Sequence, residues 1–450
     1  MNAVRISTTR RPRRTRAVLA LGGAAVVAAL VPGSVLAAGS DPATADTGDT
    51  AWMLMSTALV MIMLPGLALF YGGLVRRKNV LSTIMHSFFG LAIVSVVWVL
   101  VGFSLAFGPD VNGMGLIGNL DFAGFINVGL DPSPIYAKTI PFVLFAAFQL
   151  MFAAITPALI TGAFAERKRF ASFVLFTILW SVLVYSPIAH WVWATDGWLF
   201  KLGALDFAGG TVVHASSGLS ALIVALLIGK RVASAEKIEP HDIPMTVLGA
   251  GLLWFGWFGF NAGSALAADG LAANALIVTN TAAGGATITW VVASWYHKRK
   301  VSVLGAACGA VAGLVAVTPA SGFVTAGGAL LIGLFVGGLC YGATLLRSRL
   351  KIDDALDVFA VHGVGGTFGA IATGVFATTA VNPLGRGLID GNPGQVLTQI
   401  IAVGATIAYA VVATWVIVKL VDVVLGIRVP AREEEVGLDL AVHGEAAYQA

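Results

Sequence analysis

The string DALDVFAVHGVGG, from Asp354 to Gly366, places His362 inside a long apolar segment of the chain. The string DFAGGTVVH, from Asp206 to His214, does the same in an earlier apolar segment. A histidine within a membrane span is unfavourable unless it faces a polar path or a partner. Two such histidines in separate segments, each preceded by an aspartate, predict a shared polar site in the interior of a helical bundle.

The composition is that of a polytopic membrane protein. Of the 450 residues, 58% are hydrophobic and only 11% are charged, whereas soluble globular proteins carry about 25% charged residues. This composition argues against nucleic-acid binding. The sequence holds no nucleophile elbow, phosphate loop or metal-ligand spacing, so we expect neither an enzyme nor a cofactor. Two cysteines, Cys308 and Cys340, are too few for a disulfide framework.

The first 38 residues (1–38) have the pattern of a secretory signal peptide. Six arginines lie between residues 5 and 16, an apolar run follows from Ala17 to Val31, and small residues close the segment at Ala37 and Ala38. A charged region, a short apolar region and a small-residue cleavage site are typical of a leader that is removed. The alternative is a short additional helix that stays attached to the chain.

Eleven further segments are candidates for crossing a bilayer, which takes about 20 mostly apolar residues. They cover roughly residues 51–71, 82–107, 139–163, 171–192, 207–229, 243–267, 274–296, 301–319, 322–346, 355–380 and 395–425. The predicted fold class is therefore all-α, a bundle of eleven transmembrane helices.

The distribution of basic residues predicts the orientation of this bundle. Of the 27 Lys and Arg residues, six lie in the leader, and 18 of the other 21 follow odd-numbered spans. The even-numbered spans are followed only by Lys138, Lys201 and Arg386. Because basic residues concentrate in cytoplasmic loops, we expect the N-terminus outside and the C-terminus in the cytoplasm, in the cell (inner) membrane.

Eleven spans divide into five, five and one, and a repeat of five spans must invert its orientation. The fifth span carries Asp206 and His214, and the tenth carries Asp357 and His362. We interpret this as an inverted repeat followed by a final helix, with a ligand site near the middle of the membrane. The two histidines lie at similar depth and are able to share a proton. The alternative is two separate histidines, each bonded to a backbone carbonyl.

Other polar and aromatic residues suggest an entrance for a cation. Asp206 and Asp357 are either helix caps or, for Asp206 on the outer side, a carboxylate that supports a cation site. Phe260 and Ser264 share one helical face, and a ring beside a hydroxyl is a plausible cation receptor. Phe148 and Phe152 also share a face, for which core packing is the default explanation.

Four strings together carry a resemblance to a known family. They are GGTVVH (209–214), GWFGFNAGS (256–264), AGLVAVTPASG (312–322) and DVFAVHGVGG (357–366). In this order the chain resembles the Amt/Mep/Rh ammonium transporter family, most closely its bacterial Amt branch, from about Asp49 to the C-terminus. The resemblance implies a transmembrane domain over residues 49–426, a homotrimer with one pore in each protomer, and a cytoplasmic regulatory tail (427–450) that couples to PII-type signal proteins.

The resemblance also implies roles for individual residues. His214 and His362 match the twin histidines of the pore, and Phe148, Trp193 and Ser264 match the outer ammonium-recruitment site. The remaining implied roles are support of that site by Asp206, a further aromatic at Phe152, and a stacked gate formed by Phe148 and Phe260. Around Trp193 the sequence is WVWATDGW, where relatives often have a run of glycines.

The expected function is uptake of ammonium, and to some degree methylammonium, for nitrogen utilisation. Ammonium is expected to lose a proton at the outer site and to cross as ammonia while the histidines relay the proton, which makes net transport electrogenic. Two alternatives remain from the sequence: a sensor that binds ammonium without moving it, and an electroneutral gas channel of the Rh type.

Overall fold

The computed structural model describes residues 44–232 and 239–448. The predicted signal peptide, residues 1–38, lies outside the described residues. Eleven apolar helices follow one another: α1 (Thr47–Leu74), α2 (Arg77–Phe107), α3 (Phe142–Phe164), α4 (Phe170–Lys201), α5 (Gly210–Ile228), α6 (Ile243–Ala265), α7 (Gly270–Lys298), α8 (Val303–Val317), α9 (Ala326–Arg349), α10 (Phe359–Phe376) and α11 (Gly394–Leu425). A short antiparallel ribbon, β1 (Pro132–Ser133) and β2 (Ala137–Pro141), precedes α3.

Within the described residues, the structure has an apolar helix at each of the eleven predicted spans. Ten of them are long and apolar enough to cross a membrane, and the eleventh, α8, is a shorter apolar helix of 15 residues. α8 packs among α6, α7, α9 and α10 rather than at the edge of the bundle. The fold class is all-α, as the apolar segments predicted.

Contacts between the helices follow the predicted division into two halves. The first helices of the halves, α1 and α6, pack along each other, and so do the fifth helices, α5 and α10. Glycines allow the close approach of α1 and α6, because a β-carbon on Gly249 would lie 2.3 Å from the backbone nitrogen of Phe70. Small residues at helix contacts are the usual means of tight packing in membranes.

Two faces of the bundle are defined by the chain ends. With an odd number of spans, the chain enters α1 at one side, the N-terminal face, and leaves α11 at the other, the C-terminal face.

On the C-terminal face, the carboxylate of Glu166 pairs with Arg76 at 2.9 Å and with Arg231 at 3.3 Å. Asp353 pairs with Arg231 at 2.7 Å. Burial alone would raise the pKa of Asp353, but its hydrogen bonds and charge interaction with Arg231 outweigh burial and lower that pKa to about 2.

The C-terminal tail is folded against this same face. The backbone N–H of Val429 donates to the carbonyl of Arg167 at 3.0 Å, which ties the start of the tail to the loop before α4. A short helix, α12 (Ala431–Val436), follows. Asp439 then accepts hydrogen bonds from the backbone N–H groups of Leu81 and Ser82, at 3.1 and 2.8 Å. The tail is therefore attached to the helical bundle at its start and again at Asp439.

Candidate functional site: a histidine pair between two cavities

His214 and His362 meet in the interior of the bundle. Their Nδ1 atoms lie 3.2 Å apart, and their ring centroids are 5.3 Å apart. Both residues are buried, with 2% and 4% of their surface exposed. A neutral imidazole has one donor and one acceptor nitrogen, so one Nδ1 carries the shared proton and the other accepts it. The structure therefore brings together the two histidines that the sequence placed at similar depth.

Glycines placed in the same way relative to each histidine allow this contact. Gly218 follows His214 by four residues, and a β-carbon on Gly218 would lie 2.0 Å from the backbone nitrogen of Gly363. Gly366 follows His362 by four residues, and its β-carbon would lie 2.7 Å from the β-carbon of His214. Each histidine thus stands one turn before the glycine at which its helix crosses the other helix.

Both histidines also lie in π-helical segments, which the sequence did not predict. The segments are Gly210–Ala215 at the start of α5 and Phe359–Gly363 at the start of α10. Single π-helical turns occur preferentially at functional sites, because the extra residue changes the direction of the following side chains. The two segments lie at corresponding positions, at the starts of α5 and α10, which is consistent with the inverted-repeat interpretation.

The carboxylate of Asp206 holds the start of α5. It accepts hydrogen bonds from the backbone N–H groups of Gly209, Gly210 and Thr211, at 2.7, 2.6 and 2.8 Å, and from the hydroxyl of Thr211. Burial raises the pKa of Asp206, and these hydrogen bonds oppose that effect only in part. The backbone carbonyl of Asp206 also accepts a hydrogen bond from the indole of Trp193 at 2.9 Å. Asp206 therefore supports Trp193 through its backbone and caps α5 through its side chain.

The equivalent residue in the second half is Asp354, and the expectation that Asp357 is the cap is wrong. Asp354 precedes His362 by eight residues, as Asp206 precedes His214, and it accepts a hydrogen bond from the backbone N–H of Phe359 at 2.7 Å. Asp357 instead has a left-handed backbone, with φ of 58°, and pairs with Arg347 at 2.6 Å. The left-handed turn explains the difference, because it directs the Asp357 side chain to α9 and away from the start of α10.

Aromatic rings form a continuous column from the N-terminal face to the histidine pair. The ring of Phe152 stacks on that of Phe260 at 4.1 Å, and Phe260 lies 6.1 Å from the ring of His214. Trp193 contacts Phe152 edge-on at 5.8 Å, and Phe148 contacts it at 4.9 Å. The stacked pair is therefore Phe152 with Phe260, and not Phe148 with Phe260 as the resemblance implied.

Ser264 is joined to this column through the backbone of α6. Its half-buried hydroxyl donates to the carbonyl of Phe260 at 2.9 Å, which leaves its oxygen lone pairs available to an outside donor. The neighbouring Gly263 lets Phe148 approach, because a β-carbon there would lie 2.9 Å from the edge of that ring. The structure thus places the Phe148 ring against the end of α6, next in the chain to the Ser264 hydroxyl.

Beneath Phe260 lies a narrow cavity with apolar walls. His214 and His362 supply the ionisable groups of its lining, and the other lining residues are Met63, Leu67, Phe70, Ile155, Leu159, Leu253, Trp257, Phe260 and Val311. A second cavity of about 710 Å³ opens on the C-terminal face and is also lined by Phe70, Val311 and His362. The two cavities share these three residues, so they are adjacent, and His362 lies where they adjoin.

Trp257 was not among the site residues predicted from the sequence. Its ring stacks on that of His214 at 5.4 Å, and its indole N–H donates to the hydroxyl of Thr318 at 2.8 Å. Both residues lie in strings that carried the resemblance, GWFGFNAGS and AGLVAVTPASG. The presence of a tryptophan and a threonine in these two apolar strings was the available signal for the site. Ordinary core packing explains such residues equally well, and only the contacts of Trp257 with His214 and Thr318 distinguish the two explanations.

The arrangement suits proton transfer between two sides of an apolar path. The Nε2 atom of His214 is buried and has no hydrogen-bond partner in the described structure, so it is available to a molecule in the cavity. Among the described residues, no group of three or more His, Cys, Asp or Glu side chains is arranged to hold a metal ion. A hydrogen-bonded imidazole pair can accept a proton at one end and release one at the other.

Comparisons with known proteins agree on one family. Residues 51–448 match the model of the Ammonium Transporter Family. The ammonium transporter of Bacillus subtilis is 52% identical over 404 residues, which cover 89% of this chain and 98% of that protein.

Solved structures show the same fold. The crystal structure of Saccharomyces cerevisiae Mep2 superimposes with a TM-score of 0.81 at 39% identity, covering 86% of this chain and 88% of that chain. A structure described as a Sensor Amt Protein superimposes with a TM-score of 0.80 at 30% identity, covering 88% of this chain and 98% of that chain.

Proposed function

The chain belongs to the ammonium transporter family, and from this membership and the geometry above we propose an electrogenic mechanism of ammonium transport. It is a multi-pass membrane protein whose relatives are named as transporters of ammonium. The proposal concerns how the cation is selected and how its proton is handled. The observation that carries it is the hydrogen-bonded pair of His214 and His362 inside an otherwise apolar cavity.

Ammonium is recruited at the N-terminal face, where aromatic rings and a hydroxyl converge. Trp193, which is partly exposed, offers its ring to a cation, with Phe148 and Phe152 packed behind it, and Ser264 offers an oxygen lone pair. Asp206 contributes by holding Trp193 through its carbonyl rather than by direct contact with the cation. Methylammonium carries the same charge and also has N–H donors, so we expect it to be a second substrate.

Selection against K⁺ follows from the nature of the path beyond Phe260. The ring stack of Phe152 and Phe260 closes the entrance, and the cavity beneath it offers no charge to compensate a bare cation. An ion in such surroundings is unfavourable by several kcal/mol or more, roughly the penalty for a charge in a membrane interior. Ammonium avoids this penalty by giving up a proton and crossing as neutral ammonia. K⁺ has no neutral form and is excluded.

The histidine pair carries the proton that ammonium gives up. His214 accepts a proton at Nε2 while its Nδ1 proton passes to Nδ1 of His362, and His362 releases its own Nε2 proton towards the second cavity. No bond other than N–H bonds is formed or broken, and one positive charge crosses with each ammonia molecule. The transfer reverses the direction of the shared hydrogen bond, so the pair must reset before the next proton.

The orientation and the partners are part of the same proposal. The C-terminal face, where Arg76, Arg167 and Arg231 gather, is the cytoplasmic side, and the N-terminal face is outside. In this proposal the protein is a homotrimer that spans the lipid bilayer of the cell membrane. The docked tail is the segment through which a PII-type signal protein acts.

The experiment is current recording from reconstituted vesicles after an ammonium jump. The wild-type protein should give a current, and His214→Ala and His362→Ala should each abolish it or lose selectivity over K⁺. Leu253→Ala, which enlarges the same cavity without removing an ionisable group, is the matched control and should keep the current. Unchanged current and selectivity in both histidine variants would contradict the relay.

One alternative has support of its own, since the fold also matches a structure described as a Sensor Amt Protein. A sensor would bind ammonium without current and without uptake of labelled methylammonium. An electroneutral gas channel of the Rh type would give uptake but no current. Recording current and uptake on the same vesicles therefore separates the three functions.

A further inference from the structure

The two histidines of the pair differ in what surrounds them. The ring of His214 faces two aromatic rings of α6, Trp257 at 5.4 Å and Phe260 at 6.1 Å, with interplanar angles of 26° and 27°. Within the described part of the chain, the ring of His362 makes a ring contact with His214 alone. His214 is thus stacked on one side, whereas His362 is free of such packing.

The cavities show the same asymmetry. His214 borders only the cavity beneath Phe260, but His362 borders both that cavity and the 710 Å³ cavity that opens on the C-terminal face. His362 therefore has open space beside it on the side of the C-terminal face, in a cavity that His214 does not line. The His214 ring has open space in one direction only.

Trp257 is itself fixed by a chain of directional hydrogen bonds. Its indole N–H donates to Oγ1 of Thr318 at 2.8 Å, and the Thr318 hydroxyl donates to the carbonyl of Leu314 at 2.8 Å. The single hydroxyl proton is used on Leu314, so Thr318 can only accept from Trp257. Trp257 is 2% exposed and Thr318 is fully buried. A rotation of the indole would leave its N–H without a partner in an apolar interior, which is strongly unfavourable.

Resting on the proposed function, we infer that Trp257, locked by Thr318, is a positioning residue that holds the His214 ring more firmly than the His362 ring is held. Trp257 does not exchange protons itself. It keeps Nδ1 of His214 within hydrogen-bond distance of Nδ1 of His362, while Nε2 of His214 stays directed into the cavity beneath Phe260.

Histidine ring motion tests this inference without any measurement of transport. The full-length protein is labelled with ¹⁵N-histidine, placed in lipid bilayers and studied by solid-state NMR, and the signals are assigned with His214→Gln and His362→Gln. We expect a high order parameter for the His214 ring and a lower one for the His362 ring. In Thr318→Val and in Trp257→Leu, the His214 order parameter should fall to the level of His362.

Two controls separate positioning from general destabilisation. Thr318→Ser keeps the hydroxyl and should leave the His214 ring as rigid as in the wild type. Trp98→Leu removes another buried tryptophan, whose indole donates to the carbonyl of Ala146 at 3.0 Å, and should lower the melting temperature without affecting the His214 signal. A His362 ring as rigid as that of His214 would overturn the inference. So would an unchanged His214 signal in both Thr318→Val and Trp257→Leu.

Transport gives the second readout. If the pair relays protons, Thr318→Val should reduce the ammonium current by up to about 100-fold, the loss that a small misplacement of a reacting group can cause. Thr318→Ser should keep the current. A wild-type protein without current but with the expected NMR changes would leave the positioning role intact and reject the relay. Normal current in a Thr318→Val protein whose His214 ring has become mobile would reject the functional need for positioning.

Discussion

The Nδ1 atoms of His214 and His362 lie 3.2 Å apart, although 148 residues separate them in the chain. The contact depends on the crossing of α5 and α10 at glycines, with Gly218 against Gly363 and Gly366 against His214. No side chain larger than hydrogen fits at these crossings without moving the helices. The geometry of the histidine pair is therefore set by glycines, which have no group that could take part in proton transfer.

Gly218→Ala should separate α5 from α10 and lengthen the distance between the histidines. The new methyl group would lie 2.0 Å from the backbone nitrogen of Gly363, so the helices must shift. We expect a destabilisation of about 1–3 kcal/mol, as for overpacked cores, together with loss of transport. The measurements are melting temperature in detergent and ammonium uptake in vesicles.

The matched control for this substitution is Gly404→Ala in α11. A β-carbon on Gly404 would meet nothing within 4 Å, and alanine is about 1 kcal/mol more favourable than glycine in a helix. Gly404→Ala should therefore be as stable as the wild type or more so. If Gly218→Ala has the same melting temperature and ammonium uptake as Gly404→Ala, the close crossing of α5 and α10 is not needed for the site.

Phe152→Ala should weaken selection more than Phe148→Ala. Phe152 supplies the ring that stacks on Phe260 at 4.1 Å, whereas Phe148 packs against Phe152 from the other side. Removing the Phe152 ring opens the entrance to the cavity, so water and K⁺ gain access. The measurement is the ratio of currents with ammonium and with K⁺ gradients. A larger loss of selectivity in Phe148→Ala would assign the gate to Phe148 instead.

Asp206→Ala should destabilise the start of α5. Its carboxylate accepts backbone hydrogen bonds from Gly209, Gly210 and Thr211, and their loss should cost about 2 kcal/mol or more, since each cap bond is worth roughly 1 kcal/mol. Asp206→Asn keeps one carbonyl oxygen and should fall between alanine and the wild type. Melting temperature is the measurement.

Asp269→Ala is the comparison for this cap. Asp269 caps α7 on the same N-terminal face with a single hydrogen bond from the backbone N–H of Ala272 at 2.9 Å. Its loss should destabilise the protein by about 1 kcal/mol. Equal losses in Asp206→Ala and Asp269→Ala would mean that the additional hydrogen bonds of Asp206 add nothing to stability.

Asp354 should make stability depend on pH in the mildly acidic range. Burial and then the nearby charge of Asp357 raise the pKa of Asp354 from 3.8 to about 6. A carboxyl group whose pKa is higher in the folded state contributes stability that is complete below about pH 4 and is lost as the pH rises through about 6. Asp354→Asn cannot ionise, so it should remove this part of the slope. Melting temperature measured from pH 4 to 7 checks the prediction, and an unchanged slope would contradict it.

Asp439→Ala should release the tail from the C-terminal face. The substitution removes the acceptor for the backbone N–H groups of Leu81 and Ser82 at the start of α2. We expect faster proteolysis after Gly426 and altered ammonium uptake, as in a protein truncated after that residue. Glu435→Ala changes an exposed carboxylate of the same tail and should leave both unchanged. Wild-type uptake in the truncated protein would count against regulation by the tail.

Much of the fold was predictable because each membrane helix can be recognised from the apolar residues of its own segment. An apolar run of sufficient length must form a helix in lipid, so hydropathy placed ten of the eleven spans within five residues of their observed bounds. The fourth was predicted to end at residue 192, nine residues before the end of α4 at Lys201. The depth of His214 and His362 followed from helical rise alone. The π-helical turns at both histidines were not predictable, because no local pattern distinguishes them from an ordinary α-helix.

The errors within the site are offsets of about one turn. Phe148 and Phe152 lie one turn apart on the same face of α3, so the sequence could not decide which ring reaches Phe260. Asp354 and Asp357 are three residues apart, and the left-handed backbone of Asp357 determines that Asp354 is the cap. Such choices depend on the rotation and height of one helix against another, which are set by packing across the bundle.

The sequence by itself determined an all-α membrane protein, its two inverted halves and the two histidines at a common depth. These follow from the exclusion of polar groups from lipid, which acts on each segment separately. Only the tertiary structure decided that the histidines touch, that Phe152 closes the path and that Trp257 rests on His214. Those contacts join residues from different helices, and their distances are fixed by the steric fit of glycine crossings and stacked rings.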